Sequence, residues 1–236
     1  MNNGEFYDCL INGVPLSTFG AAALLDFSIG ETKVKTAVFQ GVNRSSWNLL
    51  ENIYSRREIL LTIVFEAPDL RTAKLNRSKL NSILFDVAEI YISEDGFYYR
   101  VICESTGAEE LVGIGEACAK IKSKYKFSGI RHDALETVTV ASGDAVNCLS
   151  TMPFTDCRLT AVVGASASTY TLGGAVFNSV TAGDVLVFDG IEGKITKNGS
   201  NYAASVSWIN FPQLFPGKNE IECSDSFVVE YYPTYI

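Results

Sequence analysis

Apolar residues crowd positions 57–67, "REILLTIVFEA", in the β-branched and aromatic types that suit a pleated, half-buried surface, and the run stops at Pro68. From Asp69 the period lengthens. Ala73, Leu80, Ile83, Leu84 and Val87 recur at helical spacing, which predicts one helix over about 69–86 with Asp69 as its N-cap. Then the period returns to two. "EIYISEDGFYYRVICES" sets Glu94-Asp95-Gly96 between runs rich in Ile, Val and Tyr, a hairpin signal. Over 115–130, Cys118, Lys120, Lys122, Lys124 and Lys126 fall on one side. Ala117, Ala119, Ile121, Tyr125 and Phe127 fall on the other, with Ser123 between them. This is the pattern of a strand with a wet basic face and a buried apolar one. Upstream, "VKTAVFQG" at 34–41 reads as a strand ending at a glycine.

Near residue 131 the character of the chain shifts. Helical patterning vanishes, charge thins, and Ser, Thr, Gly and Ala dominate. "ETVTVASGDAVN", "CRLTAVVGAS", "STYTLGG", "AGDVLVFDG", "GKITKNGSNYAASVSW" and "DSFVVEYYPTYI" read as short strands. Gly143-Asp144, Gly173-Gly174, Asp189-Gly190 and Asn198-Gly199 supply turns between them. Many short strands with regular turns indicate a β-sandwich or barrel. The expected organisation is mainly β: residues 1–134 form an N-terminal β domain with one α-helix, and residues 135–236 form a second, all-β sandwich domain.

Composition narrows the function. The 236 residues are 47% hydrophobic, enough to bury a core in each of two domains. A net charge of −8 argues against a dedicated binder of nucleic acid or anionic membrane. It suits a soluble protein, or one lining a channel through which a polyanion slides. The first residues show no basic segment followed by an apolar run, so no signal peptide is expected. The most apolar stretch, 59–65, is too short to span a bilayer. Cys9, Cys103, Cys118, Cys148, Cys157 and Cys223 are scattered without any C-x-x-C and read as reduced thiols. N-x-S triplets at Asn43, Asn76 and Asn198 are those a chain rich in Asn and Ser forms by chance.

Candidate chemistry is thin. His132 is the single histidine; Asp133 follows it, but neighbours in a strand point to opposite faces, and no G-x-S-x-G accompanies them. It reads as a solvated linker residue. Too few imidazoles and clustered thiols are present for a metal centre. "GIGEAC" at 113–118 places Cys118 where a dinucleotide fingerprint needs glycine and runs into a strand. Arg71, Lys74, Arg77 and Lys79 spread over the helix surface as a solvated face. Tyr170, Tyr202, Trp208 and Phe211 suit core or interface packing better than stacking on sugars. The expectation is a structural or binding protein with no catalytic, metal or cofactor site, not an enzyme.

Two of the six prolines fall within "FPQLFPGKNEIEC" at 211–223. Pro216-Gly217 fits a type II turn, in which proline fixes φ and glycine accepts a positive one. Pro212 keeps the approach extended. The turn is expected to deliver Ile221 and Cys223 into a strand, with "FVVEYY" completing the sheet before Pro233.

The pattern "DVLVFDGIEGKITKNGSNY…FPQLFPGKNEIE…VVEYYPTY" resembles the C-terminal half of phage distal tail proteins of the siphovirus type. There an Asp-Gly hairpin and an NG turn precede F-P-x-L-x-P-G-x-N, and the chain closes on Y-x-P-x-Y. Phe211, Pro212, Leu214, Pro216, Gly217 and Asn219 match the motif, and Tyr231, Pro233 and Tyr235 match the closing strand. "YSRREILLT" at 54–62, the helix after Pro68 and the following hairpin resemble the first half more loosely.

The resemblance implies a ring-forming N-terminal β domain and a galectin-like or carbohydrate-module-like C-terminal sandwich. It implies a homo-hexameric ring with a DNA channel, joining the tail tube protein to tail-tip, baseplate hub and receptor-binding proteins. Such a protein works at the virion tail tip of a phage or prophage and is assembled in the bacterial host cytoplasm. It has no membrane partner and no sequence-specific nucleic acid. Ring contacts would come from first-domain strands, with the Tyr-rich hairpin at 90–102 as an edge for pairing. The alternative is a glycan-binding adhesin that uses the sandwich on host cell-wall polysaccharide.

Overall fold

The computed structural model describes residues 6–39, 48–114 and 118–236. The expected readings at Gln40, Gly41, Asn43 and Ala117 lie outside these residues. The chain is mainly β, with a single α-helix among the described residues, and divides into two compact units, residues up to His132 and Asp133–Tyr235.

In the first unit an antiparallel sheet runs in the order Val14–Pro15, Cys9–Ile11, Ala88–Ile92, Phe97–Thr106, Ala119–His132, Arg57–Ala67, Ala22–Ile29. Arg57–Ala67 and Ala119–His132 form its spine, paired from Ala119↔Ala67 to Gly129↔Arg57. Alternation then decides burial: Ile59, Leu61, Ile63, Phe65, Ile121, Tyr125 and Phe127 all go inward. The helix Leu70–Leu84 packs on that face, and the Asp69 carboxylate caps it by accepting the Thr72 N–H at 2.9 Å. Pro68 ends the strand, and two residues later the chain is helical.

The helix departs from its expected stripe. It ends at Leu84, so Val87 lies outside it and is exposed. Asn76 holds a core-facing position instead, giving its amide to the Gly20 carbonyl at 3.4 Å. Its burial also removes it as a glycan acceptor. Arg77, expected in solvent, is mostly covered and reaches the Gly107 carbonyl at 2.9 Å and Glu109 at 3.0 Å.

The Tyr-rich hairpin forms, with Tyr91 opposite Tyr98, but offers no edge on its long arm. Phe97–Thr106 lies between two paired strands, because strand order in space is set by non-local pairing that a local pattern does not reveal. His132 is likewise not solvated. It ends the long strand, 4% exposed, stacked on Tyr98 and 3.7 Å from Glu89.

The second unit is a β-sandwich. One sheet runs Glu136–Val140, Phe227–Tyr231, Thr155–Val162, Val185–Asp189, Lys194–Lys197, Ser200–Asn201. Two smaller ladders, Ala145–Cys148 with Gly217–Glu220 and Ala167–Leu172 with Ala175–Val180 and Val206–Ser207, share its core. Leu159, Leu172, Phe177, Phe188 and Val229 are fully enclosed. All six cysteines are free thiols; Cys9 and Cys157 are pushed up to about 12 by burial, which keeps them protonated.

Candidate functional site

The motif residues Phe211, Pro212, Leu214, Pro216, Gly217 and Asn219 gather in one rigid corner of the sandwich. Leu214 is fully buried and pairs with Thr155. The Pro212 carbonyl accepts the Cys157 N–H at 3.1 Å. Gly190 passes directly over this carbonyl: a Cβ there would lie 2.7 Å from the Pro212 oxygen and 3.0 Å from the Cys157 oxygen. The Phe211 ring stands 5.7 Å from Phe188 and 6.1 Å from Trp208. The Asp-Gly turn and the Phe-Pro pair, some twenty residues apart in sequence, are therefore one contact. Asp189 holds the turn from within. One of its carboxylate oxygens takes the N–H groups of Ile191 and Glu192, and the other takes Arg158 Nε at 2.8 Å. A buried carboxylate survives here because each oxygen has a donor.

Gly217 has φ of +84°, as the second central position of a type II turn requires. Asn219 closes the turn. Its side-chain oxygen accepts the Phe215 N–H at 2.7 Å, while Nδ2 donates to the Phe215 carbonyl at 2.7 Å and the Gly217 carbonyl at 2.8 Å. The amide thus replaces a backbone ladder across the turn, which gives the spacing P-G-x-N its physical meaning. The strand that follows is Gly217–Glu220, paired with Ala145–Cys148. Ile221 and Cys223 lie beyond it, contrary to expectation, with Cys223 making only a bridge to Leu172. The turn carries Phe215 outward, 62% exposed. Phe154 and Leu149, each over half exposed, adjoin residues paired with its neighbours.

The other aromatics divide. Tyr170 is buried and its hydroxyl donates to Asp225 at 3.1 Å, so no face is open to a sugar. Tyr202 donates to the Asn178 carbonyl and lies under Lys197. Trp208 keeps 38% of its surface exposed.

In the first unit, the expected basic face is a charge-balanced ladder. Lys120 pairs with Glu66 at 2.8 Å, Lys122 with Glu110 at 2.9 Å, and Lys126 with Glu58 at 2.7 Å and Glu104 at 3.6 Å. Each pair is exposed and contributes little to stability, but together they cancel a row of positive charge. Beside it runs a strand that local reading passed over, Glu110–Ile114, exposed along its whole length. Its "ELVGI" signal was present, masked by the glycines around it. Among the described residues no group of three His, Cys, Asp or Glu could hold a metal ion, and no helix is long and apolar enough to cross a membrane.

No family model and no curated protein matches the sequence. Solved structures do match the fold. The SPP1 Dit protein (gp 19.1), described as a paradigm of the hub adsorption apparatus in phages infecting Gram-positive hosts, aligns with a TM-score of 0.68 at 13% identity. That alignment covers 98% of this chain and 100% of that one. A chain of the phage P2 baseplate in its activated conformation with Ca aligns at 0.59 and 8% identity, covering 92% and 91%. The corresponding baseplate with Sr aligns at 0.56 and 8%, covering 91% of each chain. The resemblance to distal tail and baseplate hub proteins therefore holds at the level of the fold over both units.

Proposed function

We propose that this chain is a structural protein of a phage or prophage tail tip, a distal tail component without chemistry of its own. Six copies form a ring that joins the tail tube to the tip or baseplate proteins and lets DNA pass. The observation that carries this reading is the match of fold across nearly the whole of both chains, with neither unit left over. A module borrowed for another purpose would match over one unit only. The charge pattern supports the role: a row of lysines balanced by glutamates, in a chain of net charge −8, gives a polyanion little to hold. The locked turn holds Phe215 out to solvent, and Phe154 and Leu149, next in sequence to residues paired on either side of that turn, are exposed as well. These apolar side chains offer the second unit a docking surface for tip proteins.

The partly open Trp208, close to Phe211, is the observation that favours a glycan-binding adhesin as the second reading. A glycan array probed with the purified chain separates the two. The hub reading predicts no specific sugar binding, and binding lost on Trp208→Ala would favour the adhesin.

A further inference from the structure

We propose that the strand Glu110–Ile114 is the surface by which one copy of this chain holds the next, lying against the outer edge of the neighbour's Ala22–Ile29. This rests on the ring reading above and assigns its contact. Glu110–Ile114 pairs with Ala119–Lys122 along one edge, and no described strand pairs with the other. Leu111, Val112 and Ile114 are 52%, 54% and 64% exposed. An apolar strand with an open edge joins to other chains unless something covers it.

The strand is also held out in place. Arg77 binds the Gly107 carbonyl and Glu109, Lys74 reaches Glu109 at 3.3 Å, the Gly107 N–H donates to the Lys124 carbonyl at 2.6 Å, and Lys122 pairs with Glu110. So many polar anchors at the root of a bare apolar strand fix its direction before any partner arrives, which lowers the ordering cost of binding.

The occupant is a second copy because, among the described residues, the same sheet ends on its opposite flank in a second edge that no strand covers. Ala22–Ile29 pairs with Arg57–Ala67 on one side; on the other, the described residues give it only the Tyr7↔Leu24 bridge. Its Leu25 is 39% exposed. Unlike edges on two flanks make a head-to-tail contact, which repeats from copy to copy and closes into a ring when the rotation between copies returns to its start, whereas like edges would stop at a dimer. Each edge carries one bulge, at Val112 and at Leu25. A bulge blunts an edge against indiscriminate pairing, so a partner whose own irregularity falls in step is preferred.

Light scattering on the purified full chain tests this. Val112→Lys and Leu25→Lys change exposed side chains, and circular dichroism melts should match the wild type. Each variant alone is expected at the mass of one 25.7 kDa copy. Mixed, they should form a 1:1 pair, since each retains the edge the other lacks; Val112→Ile should assemble normally. Rings that persist in both lysine variants would overturn this contact while leaving the ring reading intact. Leu25→Lys that still dimerises alone would show like edges pairing and would also overturn it. A wild type that stays at one copy would sink the ring reading itself.

Discussion

Asn219→Ala removes three hydrogen bonds at the Pro216-Gly217 turn without touching the apolar core. Each is worth about 0.5–1.5 kcal/mol net, and Phe215 lies near solvent, so the low end applies and the sum is about 1.5–3 kcal/mol. Gly217→Ala isolates the other half of the device. Nothing lies within 4 Å of an added Cβ there, so its cost is the positive φ alone, about 1–2 kcal/mol. Gly217→Asn should cost less, because Asn tolerates that region. For a unit of about 100 residues, 1 kcal/mol shifts the melting temperature by about 4–8 °C, so Asn219→Ala should lower the second unit's transition by roughly 10 °C. The double variant is the sharper assay. If the amide imposes the strained φ, Gly217→Ala should cost less once Asn219 is gone, leaving a coupling of about 0.5 kcal/mol or more. Calorimetry on the four proteins measures it. Strict additivity would show that the amide does not impose the positive φ, and an Asn219→Ala melt equal to the wild type would show that its hydrogen bonds do not hold the turn.

Asp184 is held down to about 2 by the Thr181 N–H first, then by the Asn198 amide and Lys197. A carboxyl depressed in the folded state stabilises above its unfolded value of about 3.9 and loses that contribution as pH falls toward 2. Asp184→Asn should therefore melt below the wild type at pH 5, and the gap should narrow as pH falls through about 3.9 toward 2; a constant gap contradicts the assignment. Residues 133–236 expressed alone should give a cooperatively melting β protein, because that unit has its own enclosed core and Asp133 bonds within it, to the Pro233 carbonyl and the Tyr235 hydroxyl. An insoluble or molten fragment would count against independent folding.

What was legible in the sequence was whatever a local period encodes. The change of period at Pro68, the Asp69 cap, the Glu94–Gly96 turn and the lysine alternation all correspond to local geometry. What was not legible depended on pairing between distant segments. The hairpin at 90–102 looks like an edge until Ala119–His132 is found beside it. Arg77 looks solvated until the chain thirty residues later brings Gly107 and Glu109 under it. Val87 continues the apolar stripe in the sequence, but the helix ends before it, and the buried position goes to an asparagine that no hydrophobic count would choose. Ala175–Val180, directly after the Gly173-Gly174 turn, is a separate strand whose few apolar residues make too short a local pattern to stand out from the turns around it. The motif around Pro216 could be matched from residues alone. Why it ends in asparagine became clear only with the amide seen reaching back four residues.

Under the function proposed above, copies of this chain close into a ring around an open channel. Negative-stain microscopy of the purified full chain at micromolar concentration, with the mass of the same sample taken by light scattering, tests it most directly. Six-fold rings with a central hole and a mass of about 154 kDa, six times 25.7 kDa, are expected. A compact dimer, or a single copy at every concentration, would contradict it.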